Sequence, residues 1–180
     1  MGEGERPASV QELVADLQET RGEFMVALGD VDPALLTAPG LVGEWSAREL
    51  LAHLGYWCGH GAQALHQAAQ GTLAEMDPGG PQVQERNDTM ARIARETDLA
   101  TVRAREEASF QALVERLSEA DPALLGERIG YGATLELVLR EDGPIHYREH
   151  TADLRAWFDG RPEPADEDEP AELKADEPGA

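Results

Sequence analysis

The stretch GEWSARELLAHLGYW, residues 43–57, decides the fold prediction because it joins a helix start to an apolar helical face. Ser46 is followed three residues later by Glu49, and this spacing is typical of a capping box, which satisfies backbone N–H groups at a helix N-terminus. Apolar residues then recur three and four positions apart, which predicts an amphipathic helix over about 46–70. The inward face of this helix consists of Leu50, His53, Leu54, Trp57, Gly61 and Leu65.

The same kinds of signal predict three more helices. A second capping box, Ser9 with Glu12, begins the first of them. The third is predicted as one helix, with a break near Asp98 as the alternative. The fourth is expected to kink or break at Gly143-Pro144, because proline lacks the backbone N–H that a helix interior needs. The predicted helices lie near 9–29, 46–70, 88–118 and 134–158.

The connections between these helices favour a bundle. Residues 71–87 contain Gly79-Gly80-Pro81 and no apolar period, so they predict a long connection. The motif DPALL occurs at 32–36 and again at 121–125, each time between a long amphipathic helix and a helix that carries histidines. This echo supports two similar helical hairpins. We therefore predict one all-α domain over 8–160, a four-helix bundle with one long crossover connection.

Composition excludes several function classes. The chain has 180 residues, a formal net charge of −21 and a pI near 4.4, which disfavours binding to nucleic acid or an anionic membrane surface. No run approaches the roughly 20 apolar residues of a membrane-spanning helix, and MGEGERPASV lacks the apolar core of a signal peptide. Residues 161–180 carry eight acidic and two basic side chains and predict a disordered acidic tail. We expect a cytoplasmic, soluble protein.

Three histidines point to chemistry. His146 and His150 are four residues apart, so they lie above one another on the apolar face of the last helix. His53 lies on the apolar face of the second helix. Two imidazoles at this spacing can hold one metal ion, and a third from a facing helix makes a site with an open coordination position. The alternative is that each histidine is a hydrogen-bonded core residue, but the pattern favours a divalent metal.

Two other histidines and the single cysteine are predicted to have different roles. His60 is seven residues past His53, about 10.5 Å along the helix, so it is expected to pack or line a pocket and not to share the metal. His66 lies off the apolar face and is expected to be solvated. Cys58 lies within the helical pattern, which predicts a small buried hydrophobe with a protonated thiol.

The stretch HYREH, residues 146–150, also matches the inverted zinc-protease motif H-x-x-E-H, in which the glutamate is the general base. Those enzymes need a further carboxylate ligand well downstream in a much larger domain, whereas only the acidic tail follows here. Glu149 is therefore predicted to point outward or to support a ligand indirectly. Asp153, three residues past His150, is the better candidate to orient a ligand imidazole.

Three stretches together resemble the DinB/YfiT-like superfamily: GEWSARELLAHLGYW, the ERND that starts the third helix, and IHYREHTADLRAWF. The resemblance covers roughly residues 8–160. The Trp-Ser start of the second helix is similar to the mycothiol-dependent maleylpyruvate isomerase N-terminal branch and to the ClbS/DfsB-like branch. The resemblance implies an up-down-down-up bundle, commonly a homodimer, with zinc or nickel on His53, His146 and His150.

The resemblance further implies a metal-dependent transferase or isomerase that uses a low-molecular-weight thiol such as mycothiol, or a hydrolase of a reactive toxin. An open metal position suits both, because it lowers the pKa of a bound thiol or water. A bundle that binds metal or a small molecule without turnover is the alternative class. Arg48, Arg86 and Arg148 are either contacts for an anionic substrate or ordinary surface arginines. The expected partners are a small-molecule substrate and a second copy of the chain, and neither nucleic acid nor membrane.

Overall fold

The computed structural model describes residues 9–76, 82–130 and 132–160, and over these ranges it is helical, with only isolated β-bridges. The predicted acidic tail, 161–180, and the triplet Gly79-Gly80-Pro81 lie outside the described residues. The helices are α1 (Val10–Gly29), α2 (Ala47–Ala69), α3 (Val83–Arg95), α4 (Leu99–Glu119), α5 (Leu135–Arg140) and α6 (His146–Asp159), with a π turn at Glu141–Ile145 between the last two.

Four helical units form the bundle: α1, α2, α4 and the continuous unit α5–π turn–α6. Successive glycines of α2 approach successive residues of α4, so these neighbouring helices run parallel. The pairs are Gly55 with Glu106, Gly59 with Ser109, and Gly61 with Leu113. The α6 unit runs antiparallel to α2, because His146 lies near His53 and Asp142 lies near His60. The all-α prediction is confirmed, and two parallel neighbours require a crossover between them.

The crossover itself differs from the prediction. Residues 71–87 contain a 3-10 turn, Leu73–Glu75, and the first residues of α3, which begins at Val83 and not near 88. The reason is that α3 is mostly polar and buries only Ala91 and Ala94, so no stripe of large apolar residues marks its start. The third predicted helix is in fact two, α3 and α4, divided near Asp98 as the alternative reading allowed.

Local capping chemistry explains where most of these elements begin. Both predicted capping boxes form, at Ser9 on α1 and at Ser46 on α2. Asp98 caps α4 by accepting a hydrogen bond from the backbone N–H of Thr101 at 2.8 Å. The two DPALL copies form equivalent 3-10 turns, each capped by its aspartate, Asp32 or Asp121. Short side-chain acceptors thus satisfy the free N–H groups at these helix starts.

Among the buried polar groups in the otherwise apolar bundle core, Glu106 forms a network with two other side chains. The Tyr147 hydroxyl donates to Glu106 Oε1 at 2.5 Å, and Arg21 binds both Glu106 oxygens at 2.8 Å. This network joins α1, α4 and α6 in the middle of the molecule. Within the described ranges, no helix is both long and apolar enough to cross a lipid bilayer.

Candidate metal centre

The site lies where the first part of α2 faces the first part of α6. The buried capping box of Ser46 and Glu49 fixes the start of α2, and Arg95 from α3 donates to Glu49 Oε1 at 2.9 Å. His53 follows two turns into α2. His146 is the first residue of α6, and His150 lies one turn later. The three imidazoles are thus held on two packed helices and not on loops.

The structure brings His53, His146 and His150 together. One nitrogen of each imidazole lies within 4.8 Å of one nitrogen of each of the others. The Nε2 atoms of His53 and His146 are 2.7 Å apart, so both helices present Nε2 to the same point. The ring centroids of His146 and His150 are 5.0 Å apart and the rings are stacked. Among the described residues, no cysteine or carboxylate joins this group.

Burial keeps two of the imidazoles neutral. The side chain of His53 is buried, and desolvation together with His146 and His150 lowers its pKa to about 3. Burial, and to a smaller extent the neighbouring His150, lowers the pKa of His146 to about 4. A neutral imidazole has a free nitrogen lone pair, which is the form that binds a metal.

Two side chains support the imidazoles from behind. The Asp153 Oδ2 atom lies 2.9 Å from His150 Nδ1. This contact fits the prediction that Asp153 orients the imidazole. Asn87 on α3 lies beside His53 and acts to raise its pKa, and the Asn87 Oδ1 and His53 Nδ1 atoms are both buried without a hydrogen-bond partner. Sequence reasoning missed Asn87, although it lies within the ERND stretch that carried the family resemblance.

Aromatic rings border the three histidines. The Trp45 ring is centred 5.1 Å from that of His53, and the Trp57 ring is centred 6.2 Å from that of His146. Trp57 is almost fully buried, and Trp45 is partly buried. These indole rings give the site an apolar border, which limits water and strengthens electrostatic interactions inside it.

The other two histidines and the cysteine lie outside the histidine cluster. His60 packs against Trp57, with ring centroids 5.2 Å apart, and its Nδ1 is 2.6 Å from Asp142 Oδ2. His66 lies near the surface, where it contacts Gln70 at 3.2 Å. Cys58 is fully buried, as predicted.

The charged candidates also lie outside the histidine cluster. Glu149 is exposed, as expected for an outward residue. Arg148 forms an ion pair with Asp16 of α1. Arg48 lies 3.9 Å from Glu49, and Arg86 lines a groove of about 910 Å³ between α2, α3 and α4. None of the three histidines lines that groove.

The donor set fits a divalent metal. Three imidazole nitrogens are a ligand set used by open, catalytic zinc sites, and imidazole also suits nickel. Two of the imidazoles are held neutral, and His53 Nδ1 is buried without a hydrogen-bond partner. The residues that would hold the ion are His53, His146 and His150.

Comparisons with known proteins agree with this fold. Residues 16–152 match the DinB superfamily. This chain therefore belongs to the DinB superfamily. No curated protein matches the sequence.

Solved structures with similar folds share little sequence identity with this chain. The colibactin self-resistance protein ClbS, solved in complex with a dsDNA, has a TM-score of 0.73 and 19% identity, over 88% of this chain and 100% of ClbS. An uncharacterised protein from Escherichia coli UTI89 has a TM-score of 0.72 and 16% identity, over 85% of this chain and 94% of that protein.

The mycothiol-dependent maleylpyruvate isomerase is also similar in fold. Its TM-score is 0.66 and its identity is 17%, over 82% of this chain. The matched region is 61% of the isomerase chain, so part of that enzyme has no counterpart in the match. At these identities the likeness concerns the fold.

Proposed function

We propose that this chain is a divalent-metal-dependent enzyme that acts on a small electrophilic molecule, with a low-molecular-weight thiol as the nucleophile. The observation that carries the proposal is the convergence of His53, His146 and His150 from two helices. A divalent metal held there would lower the pKa of a thiol or a water in an open coordination position. The fold shared with mycothiol-dependent maleylpyruvate isomerase supports a thiol by analogy.

The chain's own residues bind, orient and exclude water. Asp153 holds the His150 imidazole and Asn87 lies beside that of His53, while Trp45 and Trp57 border the site with apolar surface. With the imidazoles held in place before the reaction, little reorganisation is needed when a substrate arrives.

The nucleophilic sulfur has to come from a separate molecule. Cys58 is fully buried, and its burial raises the pKa of the thiol to about 12. Its sulfur contacts the Tyr147 hydroxyl at 3.5 Å in the core. In a transfer, the thiol sulfur bonds to the electrophilic carbon, the leaving group departs with the bonding electron pair, and the thiol proton is released. In an isomerisation, the thiol adds and is later expelled unchanged.

Hydrolysis, with water as the nucleophile, is the second candidate. One observation supports it: this chain matches the whole length of ClbS but only 61% of the isomerase, and the resemblance to the ClbS/DfsB-like branch implies a hydrolase of a reactive toxin. A bundle that binds metal without turnover is the remaining class, and a turnover assay on the same metal-loaded protein separates it from the two enzymes.

The test is the absorption spectrum of cobalt-substituted protein on addition of glutathione, mycothiol or bacillithiol. Our proposal predicts a thiolate-dependent change with one of these thiols, equal in Cys58→Ala and absent in His150→Ala. No change with any thiol would contradict a thiol-dependent reaction and favour water as the nucleophile. Metal-dependent stability without turnover of any electrophile would favour the non-catalytic class.

We further propose a cytoplasmic homodimer that binds neither nucleic acid nor membrane. The net charge of −21 supports the absence of nucleic acid, although the similar protein ClbS was solved with DNA. Dimerisation rests on the family resemblance and is checked by sedimentation equilibrium of the full chain.

A further inference from the structure

A π turn immediately precedes the two histidines of the last helical unit. It spans Glu141–Ile145, and His146 follows directly. Pro144 lies inside it and has no N–H to donate. A π turn closes its hydrogen bond over one residue more than an α turn, so it changes the rotation of every side chain that follows. The direction of His146 and His150 therefore depends on this turn.

The π turn is packed closely against its neighbours. A Cβ atom at Gly143 would lie 2.9 Å from Leu17 Cδ1 of α1, closer than real Cβ contacts. A Cβ atom at Gly61 of α2 would lie 3.6 Å from the Cβ of Asp142. The turn is thus packed tightly against a side chain of α1 and lies in van der Waals contact with α2.

One buried polar contact joins this turn to the other ligand-bearing helix. Asp142 Oδ2 lies 2.6 Å from His60 Nδ1, and the exposed fractions of the two side chains are 9% and 11%. Asp142 precedes His146 by four residues, and His60 follows His53 by seven on α2. The contact therefore connects the two helices about one turn from the cluster on the last helical unit and about two turns from it on α2.

A buried charged or strongly polar pair is a weak source of net stability, because removing both groups from water costs about as much as their attraction returns. Such pairs are best attested where they fix a register. The packing here agrees with that role, since the Trp57 ring lies between the pair and the cluster, 5.2 Å from the His60 ring and 6.2 Å from the His146 ring.

We propose that His60 and Asp142 are positioning residues of the three-histidine site. Their hydrogen bond holds the π turn against α2 and thereby sets the rotation of α6 that aims His146 and His150 at His53. The inference rests on the proposed metal-dependent function, and it states that this pair sets the geometry of the three-histidine site.

Two variants break the contact in different ways. Asp142→Ala removes the acceptor, and His60→Phe keeps an aromatic ring but removes the ring nitrogens. Asp142→Asn retains an oxygen that can accept from His60, so it serves as the conservative rescue. Glu136→Ala is the matched control, because it removes an ion pair with Arg140 (3.1 Å) on the preceding turns of the same helical unit.

We expect Asp142→Ala and His60→Phe to weaken zinc binding at least about tenfold in a chelator competition. The visible bands of cobalt-loaded protein should also shift, because the ligand geometry changes. Asp142→Asn should lie close to wild type, and Glu136→Ala should equal it. If His60→Phe folds with wild-type zinc affinity and cobalt bands, the proposal is overturned, even if Asp142→Ala does not fold.

A second readout needs no metal. His53 Nε2 and His146 Nε2 lie 2.7 Å apart, within hydrogen-bond distance, so we expect metal-free protein to show a shared proton in imidazole 1H–15N spectra. The proposal predicts that this signal is lost or shifted in His60→Phe and kept in Glu136→Ala. If the wild type binds no metal, the proposed function fails, whereas unchanged imidazole spectra in His60→Phe overturn the positioning role.

Discussion

His53 and His146 show how burial determines the chemistry of a single side chain. Their pKa values lie near 3 and 4, well below the usual value of about 6.5. In metal-free protein we expect both imidazoles to stay neutral from pH 8 to pH 5, as followed by 15N NMR. The urea-unfolded chain is the control, since its histidines should titrate near pH 6.5.

The same shifts make stability depend on pH. Below pH 6.5 the unfolded chain binds protons that folded His53 and His146 do not, so the free energy of unfolding falls as pH decreases. The stabilisation is fully present above pH 6.5 and is lost progressively towards pH 3–4. Urea unfolding of metal-free protein at pH 7.5, 6 and 5 measures it. A free energy that rises as pH falls over this range would contradict the assignment of buried neutral imidazoles.

Asn87 is the residue whose role can be tested most simply. Since it lies beside His53 and acts on the pKa of that imidazole, we expect Asn87→Ala to weaken metal binding by about 10–100-fold while the helix content stays unchanged. Gln84→Ala on the same helix is the control, because Gln84 is exposed and its side-chain amide donates to Asp88 at 2.9 Å. Equal zinc affinities for the two variants would show that Asn87 does not support His53.

The site residues divide into those that spacing reveals and those that it cannot reveal. His146, His150 and Asp153 lie on one helix, so their contacts follow from intervals of three and four. Asn87 and Asp142 reach histidines on a different helix, and no local interval predicts such a contact. The sequence therefore predicted the clustered histidines better than the residues on other helices that contact them.

At the scale of the elements, apolar periodicity located the long helices and misplaced the start of the polar one. α2 buries large residues along its whole face, and its predicted bounds of 46–70 agree closely with Ala47–Ala69. α3 buries two alanines and lies mainly at the surface, so its start at Val83 carried no signal. The proline at 144 correctly predicted an irregularity, but not that the chain would remain helical through a π turn.

The start of α2 should matter more for stability than the start of α1. Both begin with a capping box, but Ser46 and Glu49 are buried whereas Ser9 and Glu12 bond at an exposed end. We expect Ser46→Ala to cost about 2 kcal/mol of unfolding free energy and Ser9→Ala about 0.5–1 kcal/mol. Urea unfolding curves compare them directly. Equal losses would mean that burial of the cap at α2 adds nothing.

For the whole molecule, the charge balance bears on the choice of partners. A net charge of −21 should repel DNA at all ordinary salt concentrations. We expect no change in the fluorescence anisotropy of a labelled duplex up to micromolar protein in about 0.15 M salt, with ClbS as a comparison. Saturable binding that weakens with added salt would contradict this expectation and would mean that this chain, like ClbS, binds DNA.

The central claim is that this bundle holds one divalent metal on three histidines. The most direct measurement is the metal content of untagged protein, loaded with zinc, dialysed and analysed by mass spectrometry, for wild type, His150→Ala and His66→Ala. The account predicts about one ion per chain in wild type and in His66→Ala, and a loss of most of it in His150→Ala. A wild-type protein that retains no metal, or a His150→Ala protein that retains as much as wild type, would contradict it.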